Sequence, residues 1–143
     1  MTVPIWMLFG FAIWTVVLLM ATIGVYRWGM VLTRRASIGS FRADKVEGAA
    51  WYARAMRAHA NCIENLPVFA VIVFSLHASG TSGALVDALS VTVLIARVLQ
   101  SSVHVLFEQT NAIVSVRFTL FSAQIASFLW LAGNIIAGQL QGG

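Results

Sequence analysis

Residues 57–67 read RAHANCIENLP. Within eight positions the stretch sets out Arg57, His59, Asn61 and Glu64: a cation, an imidazole, an amide and a carboxylate. Such a set suits a zwitterionic solute. The planar fork of an arginine can give a carboxylate two parallel charge-assisted hydrogen bonds, a glutamate can pair with an ammonium, and an asparagine both donates and accepts. On a helix turning about 100° per residue, Arg57, Asn61 and Glu64 fall within a sector of about 60°, with Arg54 at its edge. His59 points roughly the other way and is the weaker candidate for the same site.

Two further stretches repeat the pattern. Arg97 is followed by Gln100, Ser101, His104 and Glu108 at helical spacing, and Arg117 by Phe121, Gln124 and Phe128. An arginine or acid at a bilayer centre costs on the order of 2.5–3.5 kcal/mol, so such residues face a bundle interior, a wet cavity or the interface. Three stripes therefore predict a shared polar cavity near the cytoplasmic end. The competing reading is that they pair with one another, Arg57 with Glu64 and Arg97 with Glu108, as glue between helices. Snorkelling to the interface would account for Arg27, Arg34 and Arg97.

A bilayer is implied by composition. The chain of 143 residues is 59% hydrophobic and 10% charged, against about 25% charged in a soluble domain. A span needs roughly 20 mostly apolar residues, and four are predicted, at Pro4–Tyr26, Ala49–His77, Ala84–Phe107 and Phe118–Leu140. This is an all-α membrane protein, one four-helix domain over residues 1–143. The first run is too long for a signal-peptide core of about 7–15 residues and has no basic stretch before it, so it reads as a retained span. Ser79–Gly83 joins the second and third spans, Arg34–Gly48 is the one strongly polar connection, and Pro67 is expected to kink the second helix just beyond Glu64. Cys62 is the single cysteine; it allows no intramolecular disulfide, fits no metal-ligand spacing, and reads as a small buried hydrophobe. No metal site is predicted.

The nine basic residues all lie in or near the first or third connection. Cytoplasmic connections collect Lys and Arg, which predicts a multi-pass protein with both termini outside the cytoplasm. The pI near 10.2 is then a topology signal, and no nucleic-acid partner is implied.

RAHANCIENLP followed by Val-Phe resembles the second-helix hallmark of the MAPEG proteins, the membrane-associated proteins in eicosanoid and glutathione metabolism. The likeness extends over essentially the whole chain, through the basic first connection, the Ala96-Arg97 pair opening the third-span stripe and the arginine near the start of the last span. It resembles a bacterial-type member similar to microsomal glutathione transferases, which implies a bacterial inner membrane. The resemblance implies a homotrimer that binds glutathione, as co-substrate, between subunits near the cytoplasmic side, among membrane lipids. It also implies transfer of the thiol to lipophilic electrophiles or reduction of lipid hydroperoxides, with a lipophilic small molecule as second substrate. Arg57, Asn61 and Glu64 match the positions that hold the tripeptide, and His59 a more variable one. Arg97, Gln100 and His104 match third-helix binding positions, and Arg117 the arginine placed near the thiol, hence the catalytic candidate. Some features depart from the family. The third helix has no tyrosine, Phe121 replaces a tyrosine, Asn65 stands where some eicosanoid enzymes carry an aromatic, and the stretch from Arg97 to Arg117 is a few residues longer. A non-catalytic lipid- or partner-binding scaffold of the same fold is the alternative. A small transporter or channel is a further one, opposed by the uncharged second connection and the apolar outer halves of the helices.

Overall fold

The computed structural model describes residues 1–42 and 44–142. Four helices long and apolar enough to cross a membrane occupy Val3–Leu32, Ala50–Ala78, Ala84–Leu106 and Asn111–Leu140, the last continuing as helix to Gly142. They are called the first to fourth spans below. No strand occurs among the described residues.

The first span opens at Val3 with Pro4 in its first turn, where a missing N–H costs nothing, and passes through a π-helical turn at Leu19–Gly24. It runs six residues beyond the expected end at Tyr26. Arg27 does not stop it, because its charge finds partners: Nε donates to the Tyr52 hydroxyl at 2.9 Å, and the guanidinium lies 5.4 Å from the Phe41 ring. The helix closes at Thr33. Arg34 takes a left-handed φ of 58°, and the Arg35 N–H reaches back to the Met30 carbonyl at 2.9 Å.

The second span stays helical through Pro67. Pro67 gives no N–H to the Ile63 carbonyl four residues back, while the Asn65 side chain donates to the Asn61 carbonyl at 2.8 Å. Gly80 and Gly83, at φ of 67° and 151°, open the turn into the third span. That turn falls at the expected Ser79–Gly83.

The fourth span begins at Asn111, not Phe118. The Thr110 hydroxyl accepts the Ile113 N–H at 3.3 Å and caps the new helix. Two expectations change as a result. Arg117 sits well inside its helix, and Glu108, in the short connection after Leu106, has left the third-span stripe.

The third span is the spine of the bundle and packs against the other three. Phe11, Phe69 and Phe128, from the first, second and fourth spans, form an aromatic ladder with ring centroids 6.0 and 5.8 Å apart. At Gly10 a β-carbon would stand 3.0 Å from the end of the Leu94 side chain, so the glycine lets the first and third spans approach closely.

Candidate functional site

The third span turns its stripe inward as its spacing predicts. Arg97, Gln100, Ser101 and His104 are all buried, Arg97 at 1% exposure. The snorkelling reading of Arg97 is therefore wrong, since its guanidinium lies in the protein interior, 5.6 Å from the Phe11 ring and close to the Cys62 thiol. Neither Nε nor Nη2 of Arg97 has a hydrogen-bond partner. Its backbone carbonyl accepts the Ser101 hydroxyl at 2.7 Å, and that hydroxyl in turn accepts the Trp14 indole N–H at 2.8 Å, tying the stripe to the first span.

The fourth span answers with Gln124, which is fully buried. Its Nε2 donates to the Gln100 Oε1 at 3.0 Å, and Gln100 Nε2 donates to the Arg117 carbonyl at 3.3 Å. This amide relay fixes the fourth span on the third at the level of Arg117. Gln124 lay in the expected stripe, but its partner could not be read from spacing. Arg117 Nε is buried and unpartnered, and the side chain projects toward the space in front of the second span.

That space is a cavity of about 510 Å³ lined by Asn61, Glu64 and Asn65 of the second span, Arg97 and Gln100 of the third, and Val114, Arg117, Phe118 and Phe121 of the fourth. Small-ligand pockets run to roughly 300–1,000 Å³. Five candidate residues, Asn61, Glu64, Arg97, Gln100 and Arg117, thus share one cavity, together with Asn65 and Phe121, where the family pattern differs. Arg57, His59 and His104 are outside its wall. His104 is buried behind it, within electrostatic range of Arg54, Arg57 and Arg117, and His59 is half-buried on another side of the second span.

In the second-span stripe Arg57 and Glu64 are exposed on the single chain and Asn61 is half-buried, with Asn61 and Glu64 reaching the shared cavity and Arg57 standing outside it. The pairing of Arg57 with Glu64 and of Arg97 with Glu108 is absent. The ion pairs among the described residues are Arg42–Asp44 at 2.6 Å and Lys45–Glu47 at 2.9 Å, both on the first connection. The stripes are not consumed as mutual glue. Their charges remain available around an open cavity, with Phe118 and Phe121 exposed on its rim.

The tail of the first span does other work. Tyr26 stacks on Tyr52 at 4.2 Å and meets Trp51 edge-on at 5.4 Å, and with the Arg27–Tyr52 hydrogen bond this clamps the first span to the second.

The MAPEG family model matches residues 7–137 of the 143. No curated protein and no solved structure matches the chain. With four spanning helices and a family match over nearly its full length, the chain is a multi-pass integral membrane protein and belongs to the MAPEG family, whose members generally use glutathione.

Proposed function

We propose that this protein is a glutathione-dependent transferase or peroxidase that acts on lipophilic electrophiles or lipid hydroperoxides. We further propose that it works as a homotrimer, a neighbouring subunit closing the cavity on the side where Arg57 and Glu64 stand exposed. The observation that carries this reading is the composition of the cavity. Two arginines with unpartnered buried donors, one carboxylate and three amides surround a space that opens onto exposed phenylalanines.

Glutathione has two carboxylates, one ammonium and a thiol, and the residues fit that inventory. Arg57 and Arg97 hold carboxylates through charge-assisted hydrogen bonds. Glu64 takes the ammonium. Asn61 and Gln100 bond along the peptide. When bound, glutathione supplies the nucleophile, a thiol of ordinary pKa about 8.5 that is mostly protonated at pH 7. Arg117 favours the charged form of the sulfur by placing a guanidinium beside it, with the thiol proton passing to water. Phe118, Phe121 and Val114 offer the apolar surface on which a lipophilic substrate meets the sulfur. With Phe121 in place of a tyrosine, the guanidinium carries this stabilisation without a phenolic hydrogen bond.

The test is conjugation of a chloronitrobenzene by the detergent-solubilised protein, followed alongside thiolate absorbance as a function of pH. Conjugation with a bound thiol more acidic than free glutathione supports the reading. A thiolate that forms without any turnover replaces it with a binding scaffold of the same fold.

A further inference from the structure

A second, shallower groove lies away from the cavity, where the first span ends. It encloses about 230 Å³ between Arg27, Trp28, Val31, Ile38 and Phe41. We propose that this groove binds one anionic phospholipid, with an acyl chain along Trp28, Val31, Ile38 and Phe41 and the phosphate held by Arg34 and Arg35.

Depth in the membrane supports this assignment. A helix of 30 residues is about 45 Å long, against a hydrocarbon core of about 30 Å. Its end therefore stands among the headgroups. Trp28, Leu32 and Ile38 are 60%, 75% and 75% exposed there. A tryptophan with bulky aliphatic neighbours belongs at the membrane interface, and a half-open apolar groove at that level faces lipid rather than water.

Charge selects the headgroup. On the first connection Arg42 is neutralised by Asp44 and Lys45 by Glu47. Arg34 and Arg35 are exposed and have no acidic partner among the described residues. In sequence they fall between Val31 and Ile38, two residues of the groove wall, and the Arg35 N–H bonded back to the Met30 carbonyl at 2.9 Å keeps this turn at the end of the span beside the groove. Arg27, already bonded to Tyr52, adds positive charge to the wall. Arg34 also occupies a left-handed turn position that glycine fills without steric cost.

Native mass spectrometry of the full-length protein in detergent, titrated with phosphatidylglycerol and with phosphatidylcholine of identical chains, tests the proposal. The expected result is one tightly retained phosphatidylglycerol per subunit and weaker, unsaturated binding of phosphatidylcholine. Each interfacial arginine contributes about fivefold, so Arg34→Gln with Arg35→Gln should weaken phosphatidylglycerol binding about 30-fold. Arg34→Gly should melt at a higher temperature than the parent yet bind about fivefold less lipid, which separates recognition from folding. Equal affinity for the two lipids overturns the proposal, as does unchanged phosphatidylglycerol affinity in the Arg34→Gln, Arg35→Gln variant. Displacement of the lipid by an equal concentration of glycerol phosphate overturns it too, since the site would then be one for free anions.

Discussion

Replacing Arg97 by methionine should stabilise the resting protein and weaken its hold on glutathione. Arg97 is 1% exposed, with two guanidinium nitrogens unpartnered. A central arginine costs about 2.5–3.5 kcal/mol in a membrane helix, and its position 5.6 Å from the Phe11 ring returns up to about 2 kcal/mol. About 0.5–1.5 kcal/mol is left uncompensated. Methionine fills similar space with no charge to desolvate, so Arg97→Met should raise the midpoint of thermal unfolding in detergent by up to a few degrees. In the presence of glutathione the order should reverse. One lost charged hydrogen bond is worth about 1.5–3 kcal/mol, or roughly ten- to a hundredfold in Kd by titration calorimetry. Thermal scans with and without saturating glutathione show both effects in one assay. A variant that unfolds earlier without ligand, yet binds glutathione with unchanged affinity, would show that Arg97 is a structural element of the core and refute the reasoning.

Other substitutions separate the remaining roles. Arg57→Ala and Glu64→Gln should each weaken glutathione binding by about 1.5–3 kcal/mol, whereas Arg117→Ala should leave binding largely intact, raise the pKa of the bound thiol and slow conjugation; loss of binding with an unchanged thiol pKa would make Arg117 a carboxylate clamp. Gln124→Leu removes the bond to Gln100 and should lower stability by about 0.6–1.7 kcal/mol, read from unfolding midpoints. Gly48→Ala places a methyl against the Tyr26 hydroxyl at a φ of 133° and should cost about 1–3 kcal/mol; an unchanged midpoint would mean that the connection yields freely. Cysteine-accessibility labelling in a Cys62-free background should place Gly80 and both termini outside the cytoplasm and the Arg34–Gly48 segment inside, and labelling of a cysteine near Gly80 from the cytoplasmic side alone would reverse the topology.

The helices and the inward face of the third span were legible because apolar period and polar spacing are local properties of the chain. Arg97, Gln100, Ser101 and His104 are buried as their offsets predicted. Helix ends were less legible. An arginine looked like a terminus at Arg27 because its partners Tyr52 and Phe41 are distant in sequence, and the fourth span was started late because the Thr110 cap lies seven residues before Arg117. Spacing shows that Arg57, Asn61 and Glu64 share a face, and only packing decides how much of it is covered: Asn61 and Glu64 reach the cavity, and Arg57 stays outside its wall. The Gln100–Gln124 bond required the relative rotation of two helices, which neither stripe contains alone.

The central claim, that the cavity is built for glutathione, is tested most directly by titration calorimetry of glutathione into the detergent-solubilised wild-type assembly. Saturable binding with one class of site, weakened at least tenfold in Glu64→Gln, is the predicted result. An intact, folded assembly that gives no binding heat, together with no thermal shift at millimolar glutathione, would contradict it.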